Sequence, residues 1–408
     1  MLLEYICPSY GVNLVDTIRA KMLEIRVRMQ IGVLAVSFLI PVAFNVAMKI
    51  AIPLKIVSVG IPKGLAILPI LVNNVFQVFT RPIAGWLAEK TDHRVVFGSA
   101  TLLYGAGFML YLSSRTPFDV YISSIVLGLG IASFWSAFLA YSSYIDEKSA
   151  SQGLAKALSI SFVGAFVGTI LSGFVFEYYG FHGTFVFATI VVVSAIFFIL
   201  LLPKMETHEI DLGKALRITS GNIRDLFLNA NAVSLVPIVN TYAPILLIDA
   251  GVSPSIAGII LTAFPIFSAI TQILGGYLYR PIIRYRLIIN ILANFSMILF
   301  ALSANLAVLP LTILFFVMYS FASSLLFTPQ LTKSIEEGGE ARAVGSGGFG
   351  SGMNATRVLG SVIATMGGYI AEEGLISIQP AVSAIVFTSV AFIFISILSA
   401  CEEYLKMQ

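Results

Sequence analysis

Twelve runs of mostly apolar residues follow one another along this chain, separated by short polar turns. They lie near 30–52, 64–87, 95–113, 118–141, 155–179, 183–202, 228–249, 255–279, 287–305, 307–330, 345–371 and 379–401. A run of about 20 apolar residues crosses a bilayer as an α-helix. In lipid a backbone must satisfy its own polar groups, so such runs fold as helices. Hydrophobic residues make up 58% of the 408 and charged residues 11%, whereas soluble domains carry about 25% charged residues. The expectation is an all-α, multi-pass membrane protein of twelve transmembrane helices, with no room for a sizeable soluble domain.

The runs repeat. Pro53, Gly60 and Gly85 recur as Pro244, Gly251 and Gly276, each 191 positions later, and Phe76 and Leu87 match Phe267 and Leu278 at the same offset. Gly153 and Gly168 recur as Gly345 and Gly360 at an offset of 192. A register held over such a distance indicates internal duplication. Six helices per copy, an even number, make the copies parallel. Duplicated membrane chains of this kind are commonly carriers, with the site where the halves meet.

Cations set the orientation. With the amino terminus inside, nineteen Lys and Arg fall on the inner side and four (Lys49, Lys55, Lys63, Arg115) on the outer, with Arg357 inside a span. The positive-inside rule then puts both termini in the cytoplasm of a cell-membrane protein. The resulting divisions are a tail at 1–29, a six-helix bundle at 30–202, a linker at 203–227, a second bundle at 228–402 and a tail at 403–408. Residues 15–30 suit an amphipathic surface helix. No cleavable signal peptide is read, and Met22 and Met29 stand as alternative starts.

Composition also excludes classes. The net charge of +3 reflects topology, since no aromatic-lined basic face for nucleic acid is present. Cys7 and Cys401 form no metal or redox motif, and His93, His182 and His208 fall in expected loops. No cofactor, metal site or catalytic pair is expected. Small-residue faces at Gly164, Gly168, Ser172 and Gly173, and at Gly360, Ala364, Gly367 and Gly368, are read as close helix packing.

Residues 85–94, Gly-Trp-Leu-Ala-Glu-Lys-Thr-Asp-His-Arg, follow Arg81-Pro82 in the turn after the second span. This stretch resembles the signature of the major facilitator superfamily, roughly G-x-L-A-D-R-x-G-R-R, and the topology is similar over nearly the whole chain. The resemblance implies two six-helix bundles that rock about a central site. It also implies a conformational switch built from Arg81, Gly85, Glu89, Lys90, Asp92 and Arg94, with Gly276 in the degenerate second copy. Glu89 would then meet the amino end of the eleventh span near Ala343–Gly347, with Lys90 and Arg94 completing a charge network. Glu stands where the family has Asp, Asp92 replaces a Gly, and the second copy lacks its acid. The family's drug–proton antiporters carry an Arg in the fourth span and a proline-containing glycine run in the fifth. Neither is complete here, which argues against a typical multidrug antiporter.

In that architecture spans one, four, seven and ten line the cavity, flanked by two, five, eight and eleven. The candidates for solute contact are Asn45, Asn74, Gln77, Trp135, Asn240, Tyr242, Tyr319, Asn354 and Arg357. Arg357 reads either as an anion-binding cation or as a structural one that bonds carbonyls or snorkels. Trp135 suits stacking on a solute or apolar packing; Asn45 and Asn240 suit helix-to-helix bonding. Lys49 is expected to extend to the outer surface. No carboxylate lies at mid-span, leaving open facilitated diffusion, coupling through a peripheral acid such as Glu177 or Asp249, and exchange. The functional expectation is a monomeric secondary transporter of a small organic solute, with a proton as an open question. Efflux of drugs or metabolites and a non-transporting sensor are the alternatives.

Overall fold

The computed structural model describes residues 8–145, 150–205, 212–229, 231–249, 251–306, 308–338, 342–375 and 378–407. Among these, no strand occurs. The first half holds α1 (Pro8–Val46), α2 (Ile52–Ser58), α3 (Leu68–Lys90), α4 (His93–Ser113), α5 (Pro117–Ser143) and α6 (Ala150–Leu200). Then come α7 (Leu212–Asn229), α8 (Val236–Asp249), α9 (Pro254–Leu261), α10 (Ala263–Tyr277) and α11 (Tyr279–Arg284). The chain closes with α12 (Arg286–Asn305), α13 (Leu309–Gly338), α14 (Arg342–Glu372) and α15 (Pro380–Met407).

Nine described segments are long and apolar enough to cross a membrane. One of them, Gln152–Leu200, holds 49 residues and accommodates two crossings, because Gly180 (φ 60°, ψ −156°) breaks the helix. The 14-residue α8 and the glycine- and serine-rich α14 fall outside that measure. Length and hydropathy thus account for ten of the twelve expected crossings among the described residues. The expected surface helix at 15–30 is continuous with the first crossing, since α1 begins at Pro8. Cys7, His208 and the side chains of the first twenty residues lie outside the described set.

Local chemistry sets the boundaries. Thr116 and Asp119 form a reciprocal capping box ahead of Pro117, which starts α5. Ser253 caps α9, again with proline at the first helical position. Among the positive-φ glycines, Gly60 (φ 95°) and Gly251 (φ 81°) stand at the repeat offset of 191, while Gly180 and Gly374 (φ 71°) follow the fifth and eleventh crossings. Each closes a helix in a conformation that a β-carbon disfavours. Within the crossings, hydroxyls bond back to their own helix, as Thr101 does to Phe97 O and Ser320 to Phe316 O.

The halves have different cores. The first packs Phe97, Tyr104, Phe134 and Phe138 in edge, tilted and stacked ring contacts. The second centres on amides: Asn290 Nδ2 donates to Asn231 Oδ1 (2.9 Å), and Asn231 Nδ2 donates to Ser396 Oγ (3.1 Å). Large apolar side chains such as Phe79, Phe197 and Phe394 face outward, as lipid solvent requires.

Glycines set the helix spacing. A β-carbon on Gly164 or Gly168 would overlap the backbone of Phe38 or Val42 in α1. Gly173 meets Pro254 of the other half, and Gly368 meets Gly64. The expected small-residue faces therefore serve both intra-bundle and inter-bundle contacts. Gly168→Val should lower stability by about 1–3 kcal/mol through overpacking, read as a reduced Tm in detergent. Gly98→Ala, with nothing within 4 Å of the added carbon, should hold or raise the Tm, since alanine favours the helix.

Candidate functional site

A cavity of about 210 Å³ lies between the two halves, lined by α1, α3, α4, α5 and α6 on one side and α8, α10, α13 and α14 on the other. Drug-sized ligand pockets run to about 300–1,000 Å³, so in this conformation the space suits a metabolite-sized solute.

Its walls are aromatic, with Phe44, Tyr104, Trp135, Phe264, Phe327 and Phe349 prominent. Trp135 is partly exposed and makes edge contacts to Phe134 and Phe138, with centroids 5.7 and 5.3 Å away. Asn45, Asn74, Gln77, Asn240 and Arg357 also line the cavity. Asn45 Nδ2 is committed to Pro41 O at 2.8 Å, in the same helix. Asn354 is fully buried behind the wall and bonds Gln77 across the bundles at 3.2 Å.

Two expected contacts lie elsewhere. Tyr242 is fully buried and outside the lining, its hydroxyl donating to Gly64 O at 2.8 Å. Tyr319, also fully buried and outside the lining, donates to Ala232 O at 3.2 Å. Aromatic residues deep in a span can serve helix packing as readily as a cavity, and sequence depth does not separate the two.

Two cations depart from expectation. Arg357 is not alone inside the crossings: Arg81 lines the same cavity, 3% exposed, with Nη2 donating to Gln77 Oε1 at 3.2 Å. Its place two turns before the charged turn makes it a cavity residue rather than part of that turn. Lys49 does not extend to the surface either. It is 2% exposed, and its Nζ lies 2.6 Å from Asn240 Oδ1 and over the Phe264 ring. The cause is the π-helical turn Ala47–Ala51, where the wider winding turns Lys49 inward. Such turns concentrate at functional sites, yet no composition signal marks this one. Lys49 and Asn240 are separated by the repeat offset of 191.

Both mouths are bridged. On the face that carries the linker helix α7, Ala343 N donates to Glu89 Oε1 at 3.0 Å. Gly85 allows the approach, since a β-carbon there would press on Ala343 O. Arg342 adds a bond to Ser143 O at 2.7 Å and stacks on Tyr144. On the far face, Ser255 N donates to Glu177 Oε2 (3.0 Å) and Gly64 N to Glu372 Oε2 (3.1 Å). Lys63 pairs with Asp249 at 2.7 Å.

The expected charge network around Glu89 takes another form. Its near neighbour is His93 Nε2 at 3.5 Å, and His93 is a buried first residue of α4 rather than a loop residue. Lys90 lies over the Trp86 ring, 5.0 Å from its centroid. Arg94 pairs with Asp92 at 2.9 Å, and Asp92 caps α4 through Arg94 N. Asp92 thus supports its own helix instead of substituting for the latch. Gly276 lies in α10.

Burial raises the Asp92 carboxyl and the bonds from Arg94 lower it by more, leaving it below the ordinary carboxylate range. A depressed folded-state value gives stability that is present above the unfolded value of about 3.9. That stability is lost as pH falls through the folded one. Asp92→Ala should cost about 1 kcal/mol at neutral pH as a lost cap. The gap in Tm between variant and parent should narrow in melts taken below about pH 4.

A sequence model of the Major Facilitator Superfamily matches residues 33–361. Relatives provisionally named multidrug resistance protein MdtD, from Yersinia pseudotuberculosis and Yersinia pestis, are 26% identical over 200 residues. The matched stretch covers 48% of this chain and 43% of theirs. Among solved structures, a point mutant of the nucleoside transporter NupG superposes with a TM-score of 0.69 at 13% identity, over 91% of this chain and 99% of that one. The human organic anion transporter MFSD10 (TETRAN) gives 0.62 at 15%, over 92% and 99%. At those identities the likeness is one of fold.

Proposed function

Because the chain belongs to the Major Facilitator Superfamily, we propose that it is a secondary transporter carrying a small organic solute across the cell membrane by alternating access. The observation that carries this reading is a cavity between two halves whose mouths are both bridged by bonds across the halves. Opening the linker face breaks Glu89–Ala343 and Arg342–Ser143. Opening the far face breaks the two carboxylate caps and Lys63–Asp249. The two sets oppose each other, so a solute that alters their balance moves the access from one side to the other.

The bundles divide at the 203–227 linker, and the cation bias puts that linker and both termini in the cytoplasm. Asn45, Asn74, Gln77, Trp135, Asn240 and Arg357 contact solute, with Asn354 behind them. Glu89, with Gly85 beside it, sets the conformational balance, while Lys90, Asp92 and Arg94 hold the shape of the turn and Arg81 acts from within the cavity. Export is the second reading, favoured by the relatives' name and opposed by the missing Arg of the fourth span.

Glu89→Ala removes a charge-assisted bond worth about 1.5–3 kcal/mol, enough to shift the equilibrium toward a linker-face opening by about tenfold or more. In reconstituted vesicles, counterflow of whichever labelled metabolite stabilises the purified protein should slow, with Tm little changed. Glu89→Gln should fall between. Parental rates in both variants would remove the latch role, and no flux of any stabilising metabolite would remove the transport reading.

A further inference from the structure

The cavity is cationic without compensation. Lys49, Arg81 and Arg357 line it, and no Asp or Glu occurs among the described lining residues. Arg81 comes from α3 and Arg357 from α14, so the two guanidiniums belong to opposite halves. A chain of neutral amides links them. Arg81 Nη2 donates to Gln77 Oε1, the same oxygen accepts from Asn354 Nδ2, and Arg357 Nη1 donates to Asn354 Oδ1 at 3.1 Å.

Donors are left over. Arg81 Nε, Arg357 Nε and Asn74 Nδ2 are buried and have no hydrogen-bond partner among the described residues. Buried donors of this kind are costly unless met, and two like charges in a low-dielectric space repel. Arginines inside a membrane pair with one another or with carbonyl oxygens; here side-chain amide oxygens meet part of each guanidinium, and the remaining donors call for an acceptor.

We propose that the solute is a small organic anion, its carboxylate or phosphate held between Arg81 and Arg357 with Asn74 as a third donor. This rests on the transport reading above. The aromatic wall around Trp135 takes the apolar body. Lys49, already bonded to Asn240, adds positive potential rather than a contact.

The arrangement also sets the mode of transport. Before an anion binds, the cavity carries arginines from both halves with no carboxylate among its described lining, which works against the bonds that close the two faces. A bound anion removes that opposition. The loaded carrier therefore switches faster than the empty one, and exchange of one anion for another outpaces net movement.

The test uses the full chain with Trp86→Phe, which leaves Trp135 as the single tryptophan reporter. Benzoate and phenyl phosphate are titrated beside benzyl alcohol and benzylamine. At least one of the two anions should quench Trp135 saturably, while the neutral and cationic analogues should not. Equal responses to all four, or no response to either anion, would overturn the proposal. Arg81→Gln and Arg357→Gln should each weaken anion binding by about tenfold to a hundredfold. Arg81→Lys and Arg357→Lys keep the charge should a Gln variant fail to fold, and they should retain part of the affinity. Parental affinity in both Gln variants overturns the clamp.

In vesicles loaded with the labelled anion that binds, unlabelled anion outside should speed efflux severalfold; equal rates with and without it overturn the exchange mode. Anion binding with no flux would leave the site standing and remove the transport reading. Flux of benzylamine with no anion binding would do the reverse.

Discussion

Close backbone approach between the α3 segment and α14 is the constraint on which the remaining geometry depends. Gly64, just ahead of α3, meets Gly368 near the far face, Gly347 lies against Arg81 O, and Gly85 meets Ala343 near the linker face. Side chains at these points would hold the halves apart, and the Glu89–Ala343 bond and the Gln77–Asn354 bond would both be out of reach. Without a hydrophobic force between helices in lipid, such packing supplies the association. Gly350 has a further use, since its missing side chain is the space the Arg81 guanidinium occupies. The glycines that weaken the membrane signal of α14 are therefore the ones that make the seam and admit the cation.

The two faces are held unequally. On the far face, Glu177–Ser255 and Glu372–Gly64 are alike, each a carboxylate late in the fifth or the eleventh crossing meeting a helix start in the other half. On the linker face, Glu89 has no counterpart, because Arg280 stands 191 positions later. Among the described residues, the linker face is therefore bridged by one carboxylate at a helix start, where the far face has two.

Much of this is legible in the sequence, and the gaps have physical causes. Apolar runs and the 191-residue register carry the fold, because lipid leaves one secondary structure to such runs. Positions that face a cavity are harder to read. Gln77 and Asn74 stand out as polar residues deep in a span. Lys49 does not read as a cavity residue because a π-helical turn rotates it inward, and a 3.6-residue period does not anticipate that. Arg81 reads as part of the charged turn because sequence distance from the turn does not report depth in the bilayer. Tyr242 and Tyr319 share the composition of cavity residues but spend their hydroxyls on backbone carbonyls. Pairings in the turn are illegible for a related reason: Glu89, Asp92 and Arg94 each have several geometrically open partners.

The contact between Lys49 and Asn240 has a consequence of another kind. Positions related by a two-fold can touch only beside the axis itself, so these two mark where it runs. In a symmetric dimer of half-length chains both sites would carry the same residue, and two lysines there would repel. A lysine–asparagine pair needs copies that have diverged, as the two halves of this chain have. The fusion thus freed the axis from self-complementarity and let a single amine stand where ancestral symmetry would have demanded none or two.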